Sequence, residues 1–296
     1  MPGAEQYLKP EVLAKVARFD LKAKFLIEGF FSGLHRSPFK GFSAEFSDHR
    51  KYVPGDDIKD LDWKVYARTN KYYIKRFQAE TNMECHLVVD ASGSMGYGTK
   101  GLSKLEYSTY IAAALAFLVV TQQDTVGLIT FDDAIRAVLQ PKSKRKHIIR
   151  ILKVLNDTKP GRPSKVSDLL HQVAGAIDKR GLVVVFSDLL DEPADVLDAF
   201  AHLRYDGHDV IVFHVLDAAE AMFPFSGPRR FEDVETGDTI VTDAASVKAG
   251  YLDALEQFIE QYRTELFKRR IDFFNIDTST SFDRALTAYL IKRSGH

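Results

Sequence analysis

The sequence has a single cysteine, Cys85, among its 296 residues. One cysteine excludes an intramolecular disulfide and any zinc site built from several cysteines, and it fits a reducing compartment. Excess charge of either sign is also lacking, because 40 Lys and Arg stand against 41 Asp and Glu. Such a balance provides no overall field to attract nucleic acid or an anionic bilayer, so neither is expected as a partner.

Long apolar runs are absent as well. The longest, residues 111–120, is far shorter than the roughly 20 residues that a membrane-spanning helix needs. Residues 1–6 contain no basic segment followed by an apolar one, so no secretory signal is visible. We therefore expect a cytoplasmic protein without a membrane span.

Strand-like and helix-like segments alternate from Leu87 onward, which is typical of a mostly parallel sheet flanked by helices. The predicted strands are 87–90, 126–131, 182–186, 210–215 and 271–276, with a short edge hairpin around 134–139. The predicted helices are 103–122, 144–156, 168–179, 193–203, 246–268 and 281–292. Residues 111–120 are apolar on all sides, as in a helix buried against a sheet. The predicted fold class is α/β.

The N-terminal part of the chain differs from the rest. Residues 1–82 are predicted to form a smaller subdomain, and residues 83–296 the α/β domain. The elements expected in the subdomain are a helix near 10–26, a turn at 54–57 and a strand at 72–78. Within the α/β domain, residues 223–243 contain two prolines and a Thr-Gly-Asp turn between short apolar pieces, which predicts an inserted hairpin.

Three oxygen-bearing side chains follow the apolar run 87–89 at alternate positions: Asp90, Ser92 and Ser94. Side chains at i, i+2 and i+4 of an extended segment share one side, so these oxygens can converge on one point. Mg²⁺ prefers near-octahedral oxygen coordination with one or two carboxylates, and this set suits it better than zinc or copper. We predict a Mg²⁺ (or Mn²⁺) site where this strand ends.

Two further residues are expected to complete the site. Ligands of an open parallel sheet bind outside the carboxyl ends of its strands, and Asp188 follows the strand 182–186. Ser167 lies just ahead of a predicted helix, in a loop that should approach the same edge, with Ser164 as its substitute. Ser92, Ser94 and Ser167 could each instead be a helix cap. The predicted metal ligands are Asp90, Ser92, Ser94, Ser167 and Asp188, with one position open for water or an outside ligand.

Catalytic motifs are scarce. The sequence contains no Walker-type phosphate loop, no Gly-x-Ser-x-Gly elbow and no paired zinc-binding histidines. A haloacid-dehalogenase-like phosphatase would need a second acid where Ser92 stands. The nearest candidates for a general base are Asp191 and Glu192. A non-enzymatic binding module is therefore favoured, and a magnesium-dependent phosphoester hydrolase stays open as the alternative.

The Asp-x-Ser-x-Ser element, with a later serine and a later aspartate, resembles the metal-ion-dependent adhesion site (MIDAS) of von Willebrand factor type A domains. The resemblance spans about residues 83–292. Residues 45–80 and 231–237 are similar to the signature and the inserted motif of the bacterial family called domain of unknown function fifty-eight. The signature residues are Glu45, Phe46, the run 50–57, Asp62, Trp63, the run 67–69 and Glu80.

This resemblance implies a von Willebrand factor A-like (Rossmann-like) fold. It also implies an adaptor or co-chaperone of a MoxR-type AAA+ ATPase in protein or metal-centre maturation, with that ATPase, an acidic client protein or both as partners. The adhesion site usually has threonine where Ser167 stands. From the residues alone, Trp63 and Tyr66 suit a small satellite core, and the basic run 142–147 suits a solvated face or a contact with an acidic partner.

Overall fold

A computed structural model gives the fold of the chain. The structure describes residues 44–53, 61–79, 84–99, 101–121, 123–234 and 236–280. The predicted helices at 10–26 and 281–292 and the predicted turn at 54–57 lie outside the described residues. The chain divides into two compact units, residues 35–82 and residues 1–34 with 83–296. The subdomain expected at 1–82 stays a prediction, because residues 1–43 are outside the described part.

The smaller unit is built on two antiparallel strands, β1 (Ala44–Lys51) and β2 (Tyr73–Ala79), with α1 (Trp63–Thr69) between them in the chain. Asp62 caps α1, since its carboxylate accepts hydrogen bonds from the backbone N–H groups of Lys64 and Val65 at 2.9 and 3.1 Å. The strand predicted at 72–78 is confirmed. Neither β1 nor α1 is among the predicted elements.

The prediction that Trp63 belongs to a satellite core of this unit is wrong. Trp63 is 57% exposed, and Tyr66 stacks on Tyr72 with ring centroids 4.6 Å apart. The buried apolar side chains are those of Leu61 and Ile74, which are joined by an isolated β-bridge. Aliphatic side chains rather than aromatic ones therefore fill the described interior of this unit.

The larger unit alternates strands and helices as predicted, with boundaries shifted by a few residues. In chain order its elements are β3 (Glu84–Asp90), α2 (Lys104–Thr121), β4 (Thr125–Phe131), β5 (Ile135–Lys142), α3 (Arg145–Asp157), α4 (Val166–Ala176), β6 (Gly181–Ser187), α5 (Pro193–Tyr205), β7 (Asp209–Leu216), α6 (Ala218–Met222), β8 (Pro228–Glu232), β9 (Thr239–Asp243), α7 (Ala244–Lys268) and β10 (Asp272–Asp277). The predicted elements include neither α6 nor the 3-10 helix Ser94–Gly96 that follows β3, because five and three residues are too few for a helical pattern.

A six-stranded sheet in the order β10-β7-β6-β3-β4-β5 forms the centre of this unit, and all strands except β5 are parallel. From β3 the chain adds β4 and β5 on one side, then crosses to β6, β7 and β10 on the other. The strand order therefore reverses between β3 and β6, and ligands of open α/β sheets bind at the carboxyl ends of strands at such a point. The predicted α/β class is confirmed.

Apolar side chains cover both faces of the sheet. One buried cluster packs α2 and α3 on the first face, and another packs α4, α5 and α7 on the second. Strands covered on both faces are continuous apolar runs, as in the segment 87–89. Residues 111–120 of α2 are largely buried, as predicted.

The inserted hairpin predicted at 223–243 is confirmed. Strands β8 and β9 form an antiparallel pair between α6 and α7, and they are not part of the central sheet. Across the described ranges, no helix combines the length and apolarity that crossing a bilayer requires.

The basic run 142–147 lies at the opposite edge of the sheet from the carboxyl end of β3. Because β5 is antiparallel to β4, Lys142 at its end pairs with Val126 near the start of β4. Lys142 and Lys144 are exposed, as expected for a solvated face, whereas His147 is buried with Nε2 2.9 Å from the carbonyl oxygen of Val126. These lysines are therefore remote from the predicted metal site.

Gly181 marks a close approach of two backbones. A Cβ on this residue would lie 2.1 Å from the carbonyl oxygen of Glu84 in β3. We expect Gly181→Ala to lower the free energy of unfolding by about 1–3 kcal/mol, the usual range for over-packing. Urea unfolding followed by circular dichroism measures this change.

Gly175→Ala is the matched control, because nothing lies within 4 Å of the Cβ that it adds to α4. It should be neutral or raise stability by up to about 1 kcal/mol, since alanine favours the helix. Equal destabilisation by both substitutions would contradict the close approach.

Candidate metal centre

The loop after β3 folds back onto Asp90. The Asp90 carboxylate accepts a hydrogen bond from the backbone N–H of Ser92 at 2.8 Å and one from the hydroxyl of Ser187 at 2.6 Å. The hydroxyl oxygens of Ser92 and Ser94 lie 3.1 Å apart. Asp90, Ser92 and Ser94 are all buried. The structure thus brings these three predicted residues together and adds Ser187, which was not predicted although it directly precedes Asp188.

Asp188 provides a second buried carboxylate at the same edge and is 1% exposed. Its backbone carbonyl oxygen lies 3.0 Å from Nε2 of His214, whose pKa is lowered by burial to about 4. Burial and the charge of Asp188 together raise the pKa of Asp90 to about 7. The buried Asp90 carboxyl therefore resists ionisation beside the charge of Asp188, and a cation at this edge would relieve that repulsion.

Lys104 is a buried cation beside Asp188, and it is not among the predicted site residues. Its ammonium lies 2.8 Å from Oδ2 of Asp188 and 2.8 Å from Oε1 of Glu220, and its side chain is 1% exposed. Burial alone would lower the pKa of Lys104, but the two carboxylates raise it above its ordinary value. The sequence did contain one signal for this buried cation, namely a lysine at the first position of a helix that is apolar for most of its length.

Hydrogen bonds extend from Lys104 to the start of α6. Glu220 accepts a bond from the N–H of Asp217 at 2.6 Å, and the two residues form a capping box. Asp217 also accepts from the Thr99 hydroxyl at 2.6 Å and the Thr278 hydroxyl at 3.0 Å. Lys104 therefore joins the sheet edge to the network that holds α6.

Ser167 is placed differently from the prediction. It lies in the first turn of α4 rather than ahead of the helix, and its N–H and hydroxyl donate to Oδ2 of Asp191 at 3.0 and 2.8 Å. The Ser164 hydroxyl oxygen, by contrast, is buried without a hydrogen-bond partner. The N–H of Gly161 donates to the carbonyl of Ala91 at 2.7 Å, which ties this segment to the loop after β3. Of these two serines, Ser164 is therefore the one whose hydroxyl has no hydrogen bond that a metal ion would have to replace.

Of the two candidate bases, Asp191 is engaged at helix starts, whereas Glu192 is exposed and its carboxylate makes no capping hydrogen bond. Burial would raise the pKa of Asp191, but the hydrogen bonds from Ser167 lower it below its ordinary value, which weakens Asp191 as a base. Its other oxygen accepts the N–H of Glu192 at 2.8 Å. Glu192 is the N-cap residue of α5. Asp191 is therefore the weaker of the two candidate bases.

The oxygen donors at this edge suit a hard cation. Within the part of the chain that the structure describes, no three His, Cys, Asp or Glu side chains come together as a metal site. Hydroxyl oxygens would therefore have to supply part of the coordination shell. Two carboxylates, the paired hydroxyls of Ser92 and Ser94, and the unpartnered hydroxyl of Ser164 are the ligand types that Mg²⁺ or Mn²⁺ takes.

Residues 48–257 match the family described as protein of unknown function DUF58. The chain belongs to this family. The matched range of the DUF58 family includes β3, β6 and the β8–β9 hairpin, and it confirms the family resemblance found in the sequence. Uncharacterized proteins of Mycobacterium tuberculosis and Mycobacterium bovis are each 28% identical over 232 residues, covering 77% of this chain and 72% of theirs.

Among solved structures, BatB from Bacteroides thetaiotaomicron is 17% identical, with a TM-score of 0.48, and the match covers 72% of this chain and 100% of that one. An aerotolerance-related membrane protein from Bacteroides fragilis is 20% identical, with a TM-score of 0.47 and coverage of 71% and 99%. The SpRpn10 VWA domain is 12% identical, with a TM-score of 0.43 and coverage of 70% and 95%.

Removing the ammonium of Lys104 would leave Asp188 and Glu220 without their counter-charge. We expect Lys104→Met to lower the free energy of unfolding by about 3–5 kcal/mol, as when a buried ion pair is broken from one side. Adding Glu220→Gln should recover part of this loss, because one uncompensated charge is removed. Urea unfolding of the single and double variants measures both effects.

Lys153→Met, at an exposed position of α3, is the matched control and should change stability by less than about 0.5 kcal/mol. If Lys104→Met lowers the free energy of unfolding no more than Lys153→Met does, the salt bridges of Lys104 contribute little to stability.

Proposed function

We propose that this protein is a non-enzymatic binding module that uses Mg²⁺ or Mn²⁺ to capture an acidic side chain of a partner protein. The observation that carries the proposal is the pair of buried carboxylates, Asp90 and Asp188, at the point where the strand order reverses. A divalent ion there would offset their repulsion. The ammonium of Lys104 offsets it on the Asp188 side only.

The charge of the site favours an acidic ligand. Two carboxylates balance a divalent ion and hydroxyls add no charge, so a bound ion would supply Lewis acidity for one further carboxylate. A carboxylate held in this way would be a central anchor, with weaker contacts around it. The role of this chain is to hold and orient that anchor point through Asp90, Ser92 and Ser94.

Two partners follow from the family resemblance. A MoxR-type AAA+ ATPase is the first candidate, and an acidic client protein presented to that ATPase is the second. Both fit an adaptor that acts in protein or metal-centre maturation. The alternative, a magnesium-dependent phosphoester hydrolase, has less support because hydrogen bonds from Ser167 hold Asp191 and lower its pKa, which leaves the exposed Glu192 as the remaining candidate base.

Metal binding tests the first half of the proposal. We expect Asp90→Asn to abolish Mn²⁺ binding in isothermal titration calorimetry, because it removes a carboxylate, and Ser94→Ala to weaken it by about tenfold. Ser108→Ala is the matched control, since Ser108 is an equally buried serine whose hydroxyl donates within α2, to the backbone carbonyl of Lys104 at 2.8 Å. Unchanged affinity in Asp90→Asn would refute the metal centre.

The same titration separates the two candidates for the remaining hydroxyl. Ser164→Ala should weaken Mn²⁺ binding more than Ser167→Ala, because the Ser164 hydroxyl has no hydrogen-bond partner whereas that of Ser167 is held by Asp191. The reverse order would restore Ser167 as the ligand.

Partner binding tests the second half. We expect EDTA, or Ser94→Ala in the presence of Mg²⁺, to lower the affinity for the MoxR-type ATPase by about tenfold or more, equivalent to about 1.4 kcal/mol. Surface plasmon resonance measures the affinity, with Ser108→Ala as control. Equal affinity with and without EDTA would mean that no metal bridges the two proteins. A metal-dependent phosphatase rate that Asp90→Asn removes would favour the hydrolase.

A further inference from the structure

A cavity of about 720 Å³ adjoins the candidate metal centre. It is open to solvent on one side and is lined by α6, the β8–β9 hairpin, the N-terminal half of α7 and the loops after β3 and β6. Ser94 forms part of its wall, so the cavity begins at the candidate metal site. The proposed capture of a carboxylate does not use this space.

Four aromatic rings form one wall of the cavity, with Phe223 in their middle. Its ring centroid lies 5.3 Å from that of Phe225, 5.6 Å from that of Phe231 and 4.8 Å from that of Tyr251. Burial and the charge of Glu220 raise the pKa of Tyr251 to about 12, so its phenol stays neutral. The wall offers apolar surface and the negative faces of aromatic rings.

The rest of the lining is acidic. The described lining residues include four carboxylates and no lysine, arginine or histidine. Glu220 is bonded to Lys104. Glu232, Asp233 and Asp238 are exposed on the hairpin, where Asp233 and Asp238 also accept hydrogen bonds from Thr236 at 3.2 and 3.0 Å. Arg230 lies 3.7 Å from Glu232, but both side chains are more than half exposed, so the pair contributes little.

Aromatic faces beside carboxylates match a cation on an apolar stem. Ring faces attract a guanidinium or ammonium group, carboxylates pair with it, and the methylene stem packs on the rings. A simple anion or an uncharged apolar group would leave one half of this lining unmatched. Charge complementarity therefore selects an arginine or lysine side chain.

The hairpin favours a peptide over a free small cation. Strands β8 and β9 pair only with each other among the described residues, so each has an outer edge of backbone groups. Ile240 and Val241 on β9 are 67% and 73% exposed, and Ile240 also lines the cavity. An extended segment that adds to such an edge gains main-chain hydrogen bonds and places alternate side chains in adjacent sites.

We propose that this cavity binds an arginine or lysine side chain of an extended partner segment. The stem packs on the partly exposed rings of Phe225, Phe231 and Tyr251, which surround the buried Phe223, and the cationic end pairs with the carboxylates of the hairpin. The inference rests on the proposed function only in taking a protein as the ligand. Because Ser94 belongs to both sites, a segment that also reached a metal ion there would carry an acidic residue beside the basic one.

The test uses the full chain and the fluorescein-labelled peptide acetyl-Gly-Val-Arg-Val-Gly amide, with EDTA present. We expect saturable binding in fluorescence anisotropy, weakened by about tenfold when citrulline replaces the arginine. Citrulline keeps the shape of arginine and removes its charge. Since the assay contains no free divalent ion, its result is independent of the metal bridge, and failure of either proposal is distinguishable from failure of the other.

Variants of the chain locate the binding. Asp233→Asn combined with Asp238→Asn should weaken binding of the arginine peptide by about fivefold. Asp198→Asn, which neutralises an 81% exposed carboxylate on α5 outside the cavity lining, should leave it unchanged. Circular dichroism checks that each variant is folded. Equal binding of the citrulline peptide, no effect of the double substitution, or no saturable binding up to millimolar protein would overturn the proposal.

Discussion

Repulsion between two carboxylates that neighbouring strands force together is the constraint on which the polar interior of the larger unit depends. Strands β3 and β6 are parallel, and because Val89 lies opposite Phe186, the register brings Ser187 opposite Asp90 and leaves Asp188 one residue further along the same edge, where its charge raises the pKa of Asp90. The ammonium of Lys104 offsets part of that repulsion by pairing with Asp188. A positive charge at the first position of a helix opposes the helix dipole, and the two carboxylates that Lys104 bridges outweigh this penalty.

Local sequence patterns made most of the sheet predictable, and also the part of the candidate site that Asp90, Ser92 and Ser94 form. The buried strands are continuous apolar runs that the connecting turns lack. The Asp-x-Ser-x-Ser spacing identifies Asp90, Ser92 and Ser94 as one set, but a turn and the 3-10 helix Ser94–Gly96 bring them together, not the extended segment that was expected. Lys104 and Ser187 were not predictable in this way. Their carboxylate partners lie 84 and 97 residues away along the chain, so only the folded topology brings them together.

The remaining differences come from boundaries and strand direction. Helix α4 begins at Val166, so Ser167 falls in its first turn, where its N–H and hydroxyl find Asp191. Composition also does not reveal whether an edge strand is parallel or antiparallel, and the antiparallel β5 carries the basic run to the far edge of the sheet. Short elements such as α1 and α6 contain too few residues for a periodic signal.

The hairpin connects α6 to α7 without contributing a strand to the central sheet. A change in its length or composition therefore breaks none of the hydrogen bonds that hold the six strands, and surface connections of this kind tolerate sequence change well. The sheet edge and the hairpin are consequently free to evolve at different rates. Divergence confined to residues 228–243 would therefore change the proposed peptide site and leave the six-stranded core intact.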